Sequence, residues 1–192
     1  MTKNSIVSLA VSSEVALVIL SYGIAFLSGL QLRWNLGFFY TWIGLLAAIP
    51  LLVGNALLWR WALLNPSSVY ARFSREVVVP LCKQIPPRDA LIIGVLSGIG
   101  EEALFRGALN NLIVSWLGTS VALILTSLAF ACVHFIGNFR RYGGMIPLYT
   151  AVGALLWVEC AVTGSLAAAA ITHGFYNFCA IAWINRTAQS SA

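Results

Sequence analysis

Charge is scarce in this chain: 9% of its 192 residues are Asp, Glu, Lys or Arg, and six of those are acidic. An ordinary soluble domain carries about 25% charged residues, so a soluble globular fold is excluded. Histidine is scarcer still, with two copies. The four cysteines show no CxxC or zinc-finger spacing; Cys132, Cys160 and Cys179 fall in apolar runs and Cys82 in a polar connection. Neither a disulfide framework nor a structural zinc site is indicated, and the thiols read as small apolar residues. The sequence shows no fixed-period repeat and no low-complexity tract.

Hydrocarbon is what the chain has in excess, with 60% hydrophobic residues and a mean hydropathy of +0.89. A membrane-spanning helix needs about 20 mostly apolar residues. Six runs qualify, at about 5–30, 38–60, 89–114, 119–137, 144–163 and 165–184. The expected fold is all-α: a polytopic integral membrane bundle of about six transmembrane helices. The first run contains Glu14 and lacks an A-x-A-like site at its end, so it reads as a retained span rather than a signal peptide. Three regions follow: an N-terminal two-helix segment with its polar connection (1–88), a membrane core (89–184) and a short tail (185–192).

Basic residues orient the bundle, because cytoplasmic loops collect Lys and Arg. With the N-terminus inside, Lys3, Arg60, Arg72, Arg75, Lys83, Arg88, Arg140, Arg141 and Arg186 lie on the inner side and Arg33 on the outer. The net charge of +5 is thereby explained by topology and gives no support for nucleic-acid binding. Trp34, Trp42 and Trp116 fall near the outer boundary and Trp59, Trp61 and Trp183 near the inner one, as an aromatic belt requires; Trp157 alone sits mid-span. In the connection 65–88, Asn65, Ser67 or Ser68 can cap a helix whose Tyr70, Phe73, Val77 and Leu81 recur at helical spacing. An amphipathic helix anchored on the inner leaflet is the expected structure, with a substrate gate as the second reading.

Against this background the polar residues inside spans mark function, since a charged side chain at the bilayer centre costs roughly 2.5–3.5 kcal/mol or more. The third run carries Gly98-Ile99-Gly100-Glu101-Glu102-Ala103-Leu104-Phe105-Arg106. Glu102 and Arg106 are four apart and can pair on one helix face. Glu101 is turned about 100° away, which leaves one carboxylate unneutralised and free to act as a general base. The fourth run carries Phe130-x-x-x-His134 and the sixth His173-x-x-x-Asn177. His173 and Asn177 share a face and supply two donors of the kind that hold an oxyanion. Gly94, Gly98 and Gly100 thin the third helix; Gly94-x-x-x-Gly98 suits a homodimer as well as an internal helix contact. With about 1.5 Å of rise per residue, Glu101 falls about 18 Å and His134 about 6 Å from the inner boundary, a wide spread for groups that must touch.

The ordered trio EExxxR, FxxxH and HxxxN resembles the CAAX protease and bacteriocin-processing superfamily of glutamate intramembrane proteases, which includes the type II CAAX prenyl endopeptidases. The likeness covers about residues 89–184, and the chain is similar in length to short prokaryotic members. The resemblance implies that Glu101, with His134, activates water, that His173 and Asn177 form the oxyanion hole, and that Glu102 and Arg106 hold the architecture. It implies a membrane endopeptidase without cofactor or metal, acting on a membrane-associated protein or peptide in a prokaryotic cytoplasmic membrane. Ser97 and Ser127 sit in no nucleophile elbow. Glu159, outside the three motifs, is expected to pair with an arginine or to line the substrate path. Two other classes stay open: a zinc enzyme using Glu101, His134 and His173 as ligands, although HExxH is absent, and a non-catalytic scaffold or self-immunity protein.

Overall fold

The computed structural model describes residues 3–189, and every regular element among them is helical. Helix α1 spans Lys3–Leu27 and α2 Phe38–Leu64. A short helical stretch follows, formed by α3 (Val69–Phe73), a π-helical turn (Ser74–Val78) and α4 (Val79–Cys82). The third spanning run is continuous from Pro87 to Leu117: α5 (Pro87–Glu102), a π-helical segment (Ala103–Leu109) and α6 (Asn110–Leu117). Helix α7 (Thr119–Val133) is followed by α8 (Phe139–Tyr142), a 3-10 turn, α9 (Ile146–Thr163) and α10 (Leu166–Gln189). Four stretches are long and apolar enough to cross a membrane, Ile6–Leu27, Phe38–Leu64, Phe139–Thr163 and Leu166–Arg186. With the Pro87–Leu117 run and α7, they make the expected bundle of about six spans. The tail expected at 185–192 is helical as far as Gln189; its last residues, 190–192, lie outside the described residues.

The bundle is organised around α10, whose apolar span is 44% buried against 11% for α1 and α2. It packs on α5 and α2, while α7 packs on α9 and α1 packs on α5 and the π segment. The N-terminal helices are therefore built into the motif-bearing core. Small residues set the α5–α10 contact: a Cβ at Gly94 would stand 2.6 Å from the Gly174 carbonyl oxygen, and one at Gly98 would strike the Ala170 carbonyl. The Gly94-x-x-x-Gly98 face is thus spent on an internal contact, which decides between the two uses open at the sequence level. Gly98→Val is expected to cost at least about 1–3 kcal/mol through overpacking, read as a lower midpoint of thermal denaturation in detergent. Gly54→Ala, where a Cβ meets nothing within 4 Å, is the matched control.

The α3–α4 stretch is capped by Ser68, whose hydroxyl accepts from the Ala71 amide at 3.2 Å. Its apolar face does not lie on lipid as a simple anchor would. Phe73 is buried in an aromatic cluster, with ring centroids 5.4 Å from Phe135, 5.2 Å from Tyr142 and 6.4 Å from Tyr149, and Tyr70 donates to Asn55 of α2 at 3.1 Å. Leu81 is the one of the four apolar positions that stays exposed. The stretch is clamped from the surface by Glu76, whose Oε2 accepts from Arg141 and from the Tyr142 hydroxyl, each at 2.7 Å. Those bonds, Arg141 first, hold the Glu76 carboxyl down from its usual 4.5 to about 2. The clamp contributes above the ordinary carboxylate value and is lost as pH falls from there through about 2. Hydrogen exchange over 69–82, corrected for its intrinsic pH dependence, is expected to accelerate across that window, and Glu76→Gln to remove the transition.

Candidate active site

The sequence places Glu101 and Glu102 on different faces of one helix, and the structure sends them to different partners. Glu102 turns inward. Its Oε1 accepts from Arg106 Nη1 at 3.2 Å and from His173 Nδ1 at 3.0 Å, and the Glu102 and Arg106 side chains are wholly buried. Arg106 also donates through Nη2 to the Gly153 carbonyl at 3.0 Å, and its guanidinium lies 4.4 Å from the centroid of Phe130, a cation–π distance. One arginine thereby ties the π segment to α7 and α9. Gly153 permits the tie, since a Cβ there would stand 3.1 Å from the Ser127 Cα. The π turns begin at the residue after Glu102, a placement often met at functional sites.

Glu101 faces α7. Its Oε2 lies 3.7 Å from His134 Nε2, and this buried oxygen has no hydrogen-bond partner among the described residues. His134 Nδ1 is 2.7 Å from the Phe130 carbonyl; a carbonyl only accepts, so Nδ1 carries the proton of this contact and Nε2 is the nitrogen turned toward Glu101. Phe130 fixes the surroundings, with centroids 4.8 Å from His134 and 5.8 Å from His173, while Tyr149 lies 4.9 Å from His134 on α9.

Helices α5 and α10 run antiparallel, so that Glu102 meets His173 and, a turn away, Ser97 meets Asn177. Asn177 Nδ2 donates to Ser97 Oγ at 2.8 Å, and Ser97 donates to the Gly94 carbonyl at 3.1 Å. Ser97 is thus a partner that orients the Asn177 amide, a part the sequence reading did not give it. Its position one turn before Glu101 on the same helix was the available signal. Helix α7 is 15 residues long and ends at Val133, with His134 as its C-cap, and the cap position sets His134 beside Glu101. The expected span end at 137 followed the apolar Phe135 and Ile136, which belong to the turn after the helix.

Beside these groups lies a cavity of about 380 Å³, lined by His134, His173, Asn177 and Phe130 and by apolar residues of α2, α9 and α10. Tyr70 and Phe73 of the clamped α3 form part of its wall. Glu159 lies elsewhere: Thr172 Oγ1 is 2.8 Å from both of its carboxylate oxygens and 3.0 Å from the Gly44 carbonyl. Thr172 thus stands where an arginine partner was expected. Trp157, the tryptophan out of register with the aromatic belt, donates to Asn110 Oδ1 at 2.7 Å. The four cysteines are free. Among the described residues no three His, Cys, Asp or Glu side chains are grouped to hold a metal ion, and both imidazoles have Nδ1 engaged by oxygen acceptors.

Fold and site together define a polytopic helical membrane protein with an acid–imidazole–amide constellation buried among its helices. Residues 84–179, half of the chain, match the type II CAAX prenyl endopeptidase Rce1-like family, and the chain belongs to that family, a family of proteases. No curated protein and no solved structure matches it.

Proposed function

We propose that the protein is an intramembrane endopeptidase that hydrolyses a peptide bond near or within the membrane with water activated by Glu101 and His134. The observation that carries this reading is the approach of Glu101 Oε2, which has no hydrogen-bond partner among the described residues, to within 3.7 Å of His134 Nε2. A water that gives one hydrogen bond to each is oriented with a lone pair free for attack. As its oxygen bonds to the substrate carbonyl carbon, Glu101 takes a proton and the carbonyl oxygen becomes an oxyanion. Asn177 has a second amide proton beyond the one given to Ser97, and His173, with Nδ1–H held by Glu102, offers Nε2–H in its doubly protonated form. These donors receive the oxyanion. Collapse breaks the C–N bond, and the proton on Glu101 passes to the leaving amine. No covalent nucleophile is needed, since Ser97 is occupied in orienting Asn177.

The apolar cavity suits an anchored or membrane-associated polypeptide as substrate, with the lipid bilayer as the surrounding medium. The asymmetry of Lys and Arg favours both termini on the cytoplasmic side. Terminal proteomics on membrane fractions tests the reading, comparing cells that express the wild type with cells that express Glu101→Gln. New termini close to membrane anchors, present with the wild type alone, are the expected result and name the substrate. Identical termini at equal protein levels would overturn it in favour of a non-catalytic scaffold or self-immunity protein.

A further inference from the structure

At the end of the bundle opposite the Glu76 clamp, the α1–α2 connection meets the turn between α9 and α10: the Leu166 amide donates to the Arg33 carbonyl at 2.9 Å and the Asn35 amide to Ser165 Oγ at 3.0 Å. A second cavity, of about 530 Å³, opens there, with Gln31, Arg33, Arg106, Asn110, Asn111 and Trp157 in its lining. Its hydrogen-bonding groups are unevenly spent. Trp157 donates to Asn110 Oδ1, Asn110 Nδ2 to Asn111 Oδ1 at 3.3 Å, and Asn111 Nδ2 to the Gln31 carbonyl at 3.3 Å. Each asparagine oxygen in this chain already holds a donor, while each Nδ2 keeps a second proton. Arg106 is 3% exposed and gives Nη1 to Glu102 and Nη2 to Gly153, but its buried Nε has no partner among the described residues. Arg33 is exposed and pairs with no carboxylate among the described residues. None of the six acidic residues of the chain lines the cavity.

We propose that this cavity is a binding site for a phosphate group, held by Arg33 at the mouth and by the Asn110 and Asn111 amides, with Arg106 in the buried wall. The inference goes beyond peptide hydrolysis and does not depend on it. The cavity offers an excess of N–H donors and, since Glu102 meets the charge of Arg106, one guanidinium without a counter-charge. The complementary ligand is anionic and all acceptor, and a phosphate meets a guanidinium through paired oxygens. The donors come from the α1–α2 connection, the π segment and α6, which a tetrahedral group with oxygens on every side can meet better than a planar carboxylate. Two sources carry this chemistry, a phospholipid headgroup and free phosphate. The place of the cavity favours the headgroup. It lies where the spans end, and Leu30 and Leu166 in its lining suit the apolar part of a lipid. Bound there, the ligand braces the Arg106 end of the network that reaches His173, and a ligand of the folded form alone raises the thermal midpoint.

Thermal denaturation of the delipidated protein in a maltoside detergent tests the proposal with three probes: dihexanoyl phosphatidylglycerol, inorganic phosphate and the phosphate-free dihexanoyl glycerol. The expected result is a saturable rise in the wild-type midpoint with the phosphatidylglycerol and none with the glyceride. Arg33→Gln is expected to raise the half-saturating concentration about tenfold or more, the usual weight of a charge-assisted hydrogen bond, and Arg33→Lys, which keeps the charge, to retain most of the shift. Inorganic phosphate acting at the same concentration as the lipid supports the site with the free ion as its source. A glyceride that matches the lipid, no rise with either phosphate-bearing probe, or an Arg33→Gln titration that superimposes on the wild type would overturn it. Native mass spectra with the phosphatidylglycerol give a second reading: one bound lipid retained by the wild type and lost by Arg33→Gln is expected, and equal occupancy contradicts the proposal. Neither readout uses cleavage, so the result stands even if the peptidase reading fails.

Discussion

Replacing Glu101 with Gln is expected to lower the rate of peptide hydrolysis by about 10²–10⁴-fold, the usual contribution of a positioned general base, while the thermal midpoint stays near that of the wild type. The two expectations come from one arrangement. Glu101 Oε2 accepts no hydrogen bond from a described residue, so an amide in its place breaks no structural bond. It does replace the basic carboxylate that stands 3.7 Å from His134 Nε2 by a non-basic amide, and an oriented water then loses its proton sink. His134→Ala is expected to act in the same sense, with less effect, because the carboxylate remains. Cleavage rates and denaturation midpoints of purified proteins in liposomes check both parts.

The opposite pattern is expected of Arg106. Arg106→Leu leaves the Glu102 carboxylate wholly buried and deprived of its arginine, a change that typically costs about 3–5 kcal/mol. It also frees the Gly153 carbonyl and uncovers Phe130, so activity falls because the fold does. Pairing it with Glu102→Leu removes the stranded charge and is expected to recover part of the midpoint, since replacing both partners of a buried ion pair is far milder than removing one. The recovered protein stays inactive, because His173 has lost the acceptor on Nδ1 that fixes its ring. Thermal denaturation of the two single variants and the double variant separates the coupling from the individual losses.

The contrast between these two neighbours was legible in the sequence. Adjacent helix positions differ by about 100°, so the pairing of Glu102 with Arg106 at four residues' spacing by itself set Glu101 apart. The shared face of His173 and Asn177 and the thinness of Gly94 and Gly98 followed from the same periodicity. Other features had no such signature. The π segment at Ala103–Leu109 is a shift in backbone hydrogen bonding within an apolar run. The end of α7 was hidden because Phe135 and Ile136 continue the apolar run after the helix stops, and run length alone cannot tell lipid contact from the aromatic cluster that buries Phe135. Glu14 and Glu159 were visible as acids in spans, but their neighbours, Gly100 across α1–α5 and Thr172 across α9–α10, are set by which helices touch. One sequence without its contacts does not state that.

The measurement that bears most directly on the account is cleavage in water enriched in heavy oxygen, using purified wild type and Glu101→Gln of equal thermal midpoint and the substrate identified in cells. The account predicts a new C-terminal carboxylate carrying one solvent oxygen with the wild type, and essentially no product with Glu101→Gln. Product formed at equal rates by both proteins would contradict Glu101 as the base.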